Sequence, residues 1–315
     1  FNMEPMTVRE ILEAVGGALL GEGVDLDAQV TRVETDSRTI HQGGLFVPLI
    51  GEQFDGHAYI NAALEGGAAG CFTQRERESY LPGKFYIKVR DTRKALRELA
   101  RHYKRKFDLP VVAVTGSVGK TTNLNTDIGT CSTLFRLDRT YQAAVLEMGM
   151  NHAGEIDVIS SIAEPDVCLI TNIGDSHIEF LGSRENILKA KCEIFRHQRP
   201  GGPAILNGDD ELLRTLAGQL DRPVLWCGVT RPMDYSADHL VSDGKAGMNC
   251  EVKTPHSDFK VSIPALGSHM VYPTLMAAAV GELYGLTTEE IQRGVAHFAP
   301  TKMRMNIIHR GEGIT

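Results

Sequence analysis

Lys120 and Thr121 stand in the string Thr115-Gly116-Ser117-Val118-Gly119-Lys120-Thr121-Thr122, directly behind the apolar run Val111-Val112-Ala113-Val114. A turn of this kind aims its backbone N–H groups into one concavity that holds phosphate oxygens. The lysine adds a positive point charge near the outer phosphates, and the threonine after it offers a hydroxyl to Mg2+. The usual pattern has a glycine where Val114 stands, so the loop is a shortened variant in which Gly116 supplies the close approach. A plain strand turn with a surface lysine is the alternative. Strand, Gly-Lys-Thr and spacing agree instead on a nucleoside triphosphate site.

Other side chains are candidates by type and position. Glu147 ends Ala143-Ala144-Val145-Leu146-Glu147-Met148, which reads as a buried strand, where a carboxylate is costly without a cation. The alternative is an exposed glutamate at a strand end. His177 follows a second apolar strand ending at Asn172; taken alone, a loop histidine is simply solvated. Lys191 lies on a helix over 185–195 and by composition is one more helix lysine beside Lys189. On spacing alone, Asp36-Ser37-Arg38 reads as a structural turn. Asn207-Gly208 reads as a turn, with a nucleotide contact through Asn207 or Asp210 as the lesser possibility.

These residues need a frame. Thr7-Val8-Arg9-Glu10 has the form of a capping box, and Val8, Ile11, Leu12 and Val15 make one face of the helix behind it. Strand character follows over 30–35 and 44–50, with an α/β alternation over 60–72. Residues 91–107 form a helix with Leu96, Leu99 and Tyr103 inward and a basic outer face, read as solvated rather than as a nucleic-acid surface. The break at Phe107-Asp108-Leu109-Pro110 bounds a first domain over 1–108 and a second over 109–315. In the second, strands at 143–148, 167–172 and 204–207 alternate with helices at 185–195 and 210–217. Antiparallel strands over 250–263, a buried helix over 270–284 and a capped helix from Thr287 follow. The class is α/β, with a largely parallel sheet in each domain and ligands at the carboxyl ends of the strands.

One junction is physically unexpected. A phosphate loop opens a helix, yet Asn123-Leu124-Asn125-Thr126-Asp127-Ile128-Gly129 is turn chemistry with no apolar stripe. The expectation is a gap in the chain between 122 and 123 that hides a helix and a strand. The sequence also stops inside a strand or hairpin at 311–315, and a third domain is expected beyond it. Phe1-Asn2 read as a remnant ahead of a native start at Met3.

A net charge of −7 argues against a partner such as nucleic acid that is held by a basic face. With 42% hydrophobic and 23% charged residues, the composition is that of an ordinary globular chain. No apolar run is long enough for a bilayer, and no secretory signal opens the chain. Cysteines 71, 131, 168, 192, 227 and 250 are scattered without metal-ligand spacing, which points to reduced thiols and a cytoplasmic location.

Taken together, these strings resemble the Mur ligases of bacterial cell-wall synthesis. In the first domain the carriers are Asp36-Ser37-Arg38, Gly43-Gly44-Leu45-Phe46-Val47 and Gly51-Glu52-Gln53-Phe54-Asp55-Gly56-His57. In the second they are the phosphate loop, Leu146-Glu147-Met148-Gly149-Met150-Asn151-His152-Ala153-Gly154-Glu155-Ile156 and His177-Ile178-Glu179-Phe180-Leu181-Gly182-Ser183. The second-domain strings are nearest to the branch that adds D-alanyl-D-alanine to UDP-N-acetylmuramoyl-tripeptide. The Ser-Ser-His string of the branch that adds the third peptide residue is missing.

The resemblance implies a UDP-binding N-terminal domain, a central ATPase domain and a C-terminal Rossmann-like domain that binds the amine, the last absent from this chain. It implies ATP, Mg2+ and an acyl-phosphate intermediate, with no obligate protein partner. Lys120 with Gly116, Ser117, Val118, Gly119, Thr121 and Thr122 would hold the nucleotide, reached also by Arg304. Thr121, Glu147, His177 and a carbamylated Lys191 would hold metal. Ser37 and Arg38 would serve the UDP group, and Asn125, Thr126, Asn151 and His152 the muropeptide. One string departs: Gly267-Ser268-His269-Met270-Val271-Tyr272-Pro273 lacks the two asparagines that contact adenine in the family. A folyl-polyglutamate-type enzyme lacks the UDP domain. A regulatory protein without ligase activity would be expected to have lost one of Lys120, Glu147, His177 and Lys191.

Overall fold

The computed structural model describes residues 2–117, 123–244 and 246–299. By its internal contacts the chain forms two units: 1–110 with 124–144 and 161–163, and 111–123 with 145–160 and 164–315.

The first unit holds a five-stranded sheet in the order Ala18–Leu20, Phe85–Lys88, Gly70–Thr73, Leu45–Phe46, Val33–Glu34. Only the Ala18–Leu20 edge runs antiparallel. Gly70–Thr73 is buried along its whole length, as expected of a parallel strand covered on both faces. Phe46, Ile60, Leu64, Cys71 and Tyr86 form its core with the short helix Ile60–Glu65.

Three helices of this unit show how local chemistry sets boundaries. In Val8–Val15 the Thr7 hydroxyl accepts from the Glu10 N–H, and Gly16 stops the helix in the left-handed region at φ 60°. The capping box expected here is only half made, because the Glu10 carboxylate goes to His102 at 2.9 Å and Lys106 at 3.0 Å. Those partners sit on or just beyond the helix Thr92–Lys104, whose basic face is therefore not merely solvated. On the same helix, Arg93 and Arg97 close on Asp127 at 2.7 and 2.6 Å. Asp127 opens the third helix, Asp127–Leu134, capped by the Thr126 hydroxyl. That helix corrects the sequence reading of turn chemistry through Gly129. The expected gap between 122 and 123 touches residues outside those described.

In the second unit eight strands follow one another in the order Asp258–Ile263, Met248–Lys253, Tyr235–Ser242, Val224–Gly228, Ala204–Asn207, Val167–Ile170, Val111–Thr115 and Ala144–Glu147. The two at the Asp258 end are antiparallel hairpin partners; Tyr235–Ser242, Val224–Gly228, Ala204–Asn207, Val167–Ile170 and Val111–Thr115 are parallel. Hydrogen bonds from Ala144 N–H to Pro110 O and from Met148 N–H to Val114 O keep a constant offset, so the last strand is parallel too. Val167–Ile170 and Ala204–Asn207 are buried throughout, whereas the outermost strands alternate buried and exposed positions. The helix Val271–Leu283 covers one face through Val271, Leu275, Ala278 and Ala279. Thr287 and Glu290 complete a full capping box at Thr288–Ala296. The strands Val224–Gly228 and Tyr235–Ser242 extend the sheet beyond the strands expected from the sequence. Among the described residues no helix is long and apolar enough to cross a membrane.

Candidate active site

The described part of the phosphate loop begins where Val111–Thr115 leaves the sheet beside Val167–Ile170. The segment after the neighbouring strand grips it. Asn172 Oδ1 accepts from the Ser117 N–H at 3.1 Å, and Ser117 Oγ accepts from the Gly174 N–H at 2.7 Å. Ser176 Oγ donates to the Ser117 carbonyl at 3.0 Å. A Cβ on Gly116 would lie 1.9 Å from Thr171 Oγ1, so glycine is required here by the neighbouring strand, independently of any phosphate. Thr115 Oγ1 is buried with no hydrogen-bond partner among the described residues, leaving a hydroxyl at the junction of strand and loop. Val118, Gly119, Lys120, Thr121, Thr122 and Arg304 lie outside the described residues.

Lys191 is 3% exposed and its Nζ donates to the Gly116 carbonyl at 3.0 Å. It ends the helix Arg184–Lys191, which Ser183 caps through the Asn186 N–H. An ordinary helix lysine would reach solvent; this one is turned inward onto the loop. A carbamate on Nζ would keep one N–H for the same carbonyl, so the contact fits either state of the nitrogen.

Glu147 is exposed, which corrects the expectation of a buried carboxylate. The physical reason is the sheet order: Ala144–Glu147 is the outermost strand, and Val145 beside it is 68% exposed. His177 adopts the left-handed conformation at φ 68°, uncommon for a residue with a Cβ and a feature that collects at functional sites. Its ring stacks on Phe180 at 6.5 Å, and the His152 ring meets the same phenyl at 5.1 Å. Phe180 thus joins the two candidate histidines, and sequence reasoning had given it no role. Among the described residues no three His, Cys, Asp or Glu side chains gather as a metal-ligand set.

Asn151 and His152 are exposed, and their N–H groups both point at Glu155 Oε2, at 2.5 and 3.2 Å. Glu193 Oε1 accepts from the Gly154 N–H at 2.8 Å and Oε2 from the Asp157 N–H at 3.0 Å, a tie that nothing local in the sequence announces. The turn reading of Asn207-Gly208 holds: Asn207 donates to the Thr171 carbonyl and accepts from Asp209 N–H. Asp210 caps Glu211–Arg214 and also accepts from the Ile173 N–H at 2.7 Å, so it steadies the gripping segment. Tyr272, in the departing string, donates its hydroxyl to Asp209 at 2.9 Å. Burial, then this hydrogen bond, push the phenol up to about 12.

The remaining candidates belong to the first unit. Arg38 folds back onto Asp36 at 2.7 Å, and its hydrogen bonds hold that carboxyl at about 2. Ser37 opens the turn Ser37–Thr39, for which Asp36 is the cap. Asn125 ends the single turn Asn123–Asn125, and the Thr126 hydroxyl is engaged as a helix cap, accepting from the Gly129 N–H.

Comparison with known proteins matches residues 97–281 to the Mur ligase middle domain and residues 29–104 to the Mur ligase family catalytic domain. The UDP-N-acetylmuramoyl-tripeptide–D-alanyl-D-alanine ligase of Bacillus subtilis is 34% identical, over 98% of this chain and 70% of the relative. Its Escherichia coli counterpart is 33% identical, over 98% and 72%. Among solved structures, MurF from Acinetobacter baumannii superposes with a TM-score of 0.89 at 28% identity, over 98% of this chain and 72% of that one. MurF ligase from Thermotoga maritima, solved in complex with ADP, gives 0.76 at 25% identity, over 86% and 66%. Both sheets, mixed and mostly parallel, are those of the N-terminal and middle domains of that fold. The middle-domain match alone spans more than half of the sequence and the relatives align along nearly all of it, so the chain belongs to the Mur ligase family.

Proposed function

We propose that this chain forms the UDP-substrate-binding and ATP-binding parts of the ligase that joins D-alanyl-D-alanine to UDP-N-acetylmuramoyl-tripeptide. The observation that carries the reading is the match along 98% of the chain to relatives bearing that name. In this reading the domains divide near 108, and the work is cytoplasmic, where ATP and nucleotide-linked precursors are available.

The terminal carboxylate of the tripeptide attacks the γ-phosphorus of ATP; the bond to the bridging oxygen breaks and ADP leaves. The amine of D-alanyl-D-alanine then attacks the acyl carbon, and the tetrahedral intermediate expels phosphate while the amine gives up a proton. The difficulty is charge, since a carboxylate must approach a polyanion. Lys120 and the N–H groups of Gly116 to Thr122 are the proposed answer on the phosphate side. Mg2+, when bound, would neutralise further charge there, with Thr121, Glu147, His177 and carbamylated Lys191 as proposed ligands. Ser37 and Arg38 are assigned to the UDP diphosphate, Asn125, Thr126, Asn151 and His152 to the muropeptide, and Arg304 to the nucleotide. Amine binding is assigned to no residue of this chain. The ADP complex of the Thermotoga relative supports the nucleotide assignment.

The test is phosphate release from ATP by the full-length protein, with UDP-muramoyl-tripeptide and with or without D-alanyl-D-alanine. Release that needs both, with pentapeptide product seen by mass and a loss of about 100-fold or more in Lys120→Ala, is expected. Release indifferent to the dipeptide would overturn the choice of amine.

A further inference from the structure

Asp127 and Glu193 are the acidic side chains buried among the described residues. Two arginines account for Asp127. Glu193, 5% exposed, is bound instead by backbone N–H groups of Gly154 and Asp157. Both belong to the start of the helix Glu155–Ala163, whose cap position is Gly154 at φ 92° with no side chain to offer. A helix start leaves N–H groups without acceptors and carries partial positive charge, so it needs an acceptor from elsewhere. Glu193 supplies one from 39 residues downstream.

The consequence reaches past the helix. Glu155, at the first helical position, turns back so that one carboxylate oxygen holds the N–H groups of Asn151 and His152. The turn at 151–152 therefore hangs from a helix end that Glu193 fixes. Two residues before Glu193, Lys191 holds the Gly116 carbonyl. One short stretch of chain thus secures two loops through two separate side chains.

We infer that Glu193 is a positioning residue for the muropeptide side of the site, acting through Gly154, Asp157 and Glu155 to set Asn151 and His152. It leaves the nucleotide side to Lys191. The inference rests on the reading of Asn151 and His152 as muropeptide-lining. Unlike a purely structural tie, it requires the two substrates to respond differently.

The full-length protein is compared with Glu193→Ala and Glu193→Gln. Losing a charged acceptor for two N–H groups should raise KM for UDP-muramoyl-tripeptide by ~10-fold or more in the alanine variant, with KM for ATP within about twofold. Glutamine keeps one acceptor oxygen and should recover much of the loss, leaving a rise of about threefold. Hydrogen exchange of the 151–157 amides should accelerate in the same order. Equal rises in both KM values, or faster exchange with KM for the muropeptide unchanged, would sink the positioning role. A wild-type protein that turns over ATP but does not respond to UDP-muramoyl-tripeptide defeats the substrate reading itself, an outcome visible before any variant is made.

Discussion

At the scale of single residues, the loop that should hold phosphate is shaped first by its neighbour in the sheet. Gly116 sits where any Cβ would collide with Thr171 Oγ1. Gly116→Ala should cost ~1–3 kcal/mol in stability through overpacking, together with loss of ATP binding. Thr171→Ala in the same chain removes the colliding hydroxyl, and partial recovery of both is expected by thermal melting and calorimetric titration of ATP. If the double variant were no better than Gly116→Ala, the collision would not be the cause. A phosphate-loop expectation was legible here because the spacing of glycine, lysine and threonine encodes it. The inward turn of Lys191 was not, because a helix lysine looks the same in sequence whether it meets solvent or a carbonyl. Glu147 was misjudged as buried because an apolar run does not reveal whether its strand lies at the middle or the margin of a sheet.

At the scale of elements, capping chemistry was legible in proportion to its locality. Thr287 and Glu290 make both halves of their box, whereas Glu10 abandons Thr7 for two cations from a distant helix. The helix Asp127–Leu134 escaped notice because glycine, threonine and serine are poor helix formers, and its support comes from outside it. That support is measurable. Burial pushes the Asp127 carboxyl up, but hydrogen bonds from Arg93 and Arg97 outweigh it and hold it at about 2, below its ordinary 3.8. A depressed value means the stabilisation is present above the unfolded-state value and is lost as pH falls toward about 2. Asp127→Ala should lose ~2 kcal/mol at neutral pH, less than the ~3–5 of a fully buried pair because both arginines are partly exposed. The deficit against wild type should shrink between about pH 4 and pH 2 in denaturant titrations; a deficit constant over that range would refute the pairing as its source.

At the scale of the molecule, the two units are not consecutive lengths of chain. The first takes residues 124–144 after the chain has already entered the second. Those residues are integral to it: the Tyr103 hydroxyl donates to the Leu137 carbonyl at 2.6 Å, and the Tyr103 and Phe135 rings stand 5.6 Å apart. A fragment of residues 1–108 should therefore melt well below the same fragment rejoined to 124–144 through a glycine-serine linker. Equal melting by circular dichroism would show that the returning segment adds nothing. The return of residues 124–144 was not legible in the sequence, since no local pattern marks a segment as belonging to a partner already passed.

The returning segment also bears on how the protein is made. A ribosome that has released the first 108 residues has not yet released Phe135 or Leu137, which close the packing around Tyr103. The amino-terminal unit therefore stays incomplete until residues 124–144 have followed the strand Val111–Thr115 out of the ribosome.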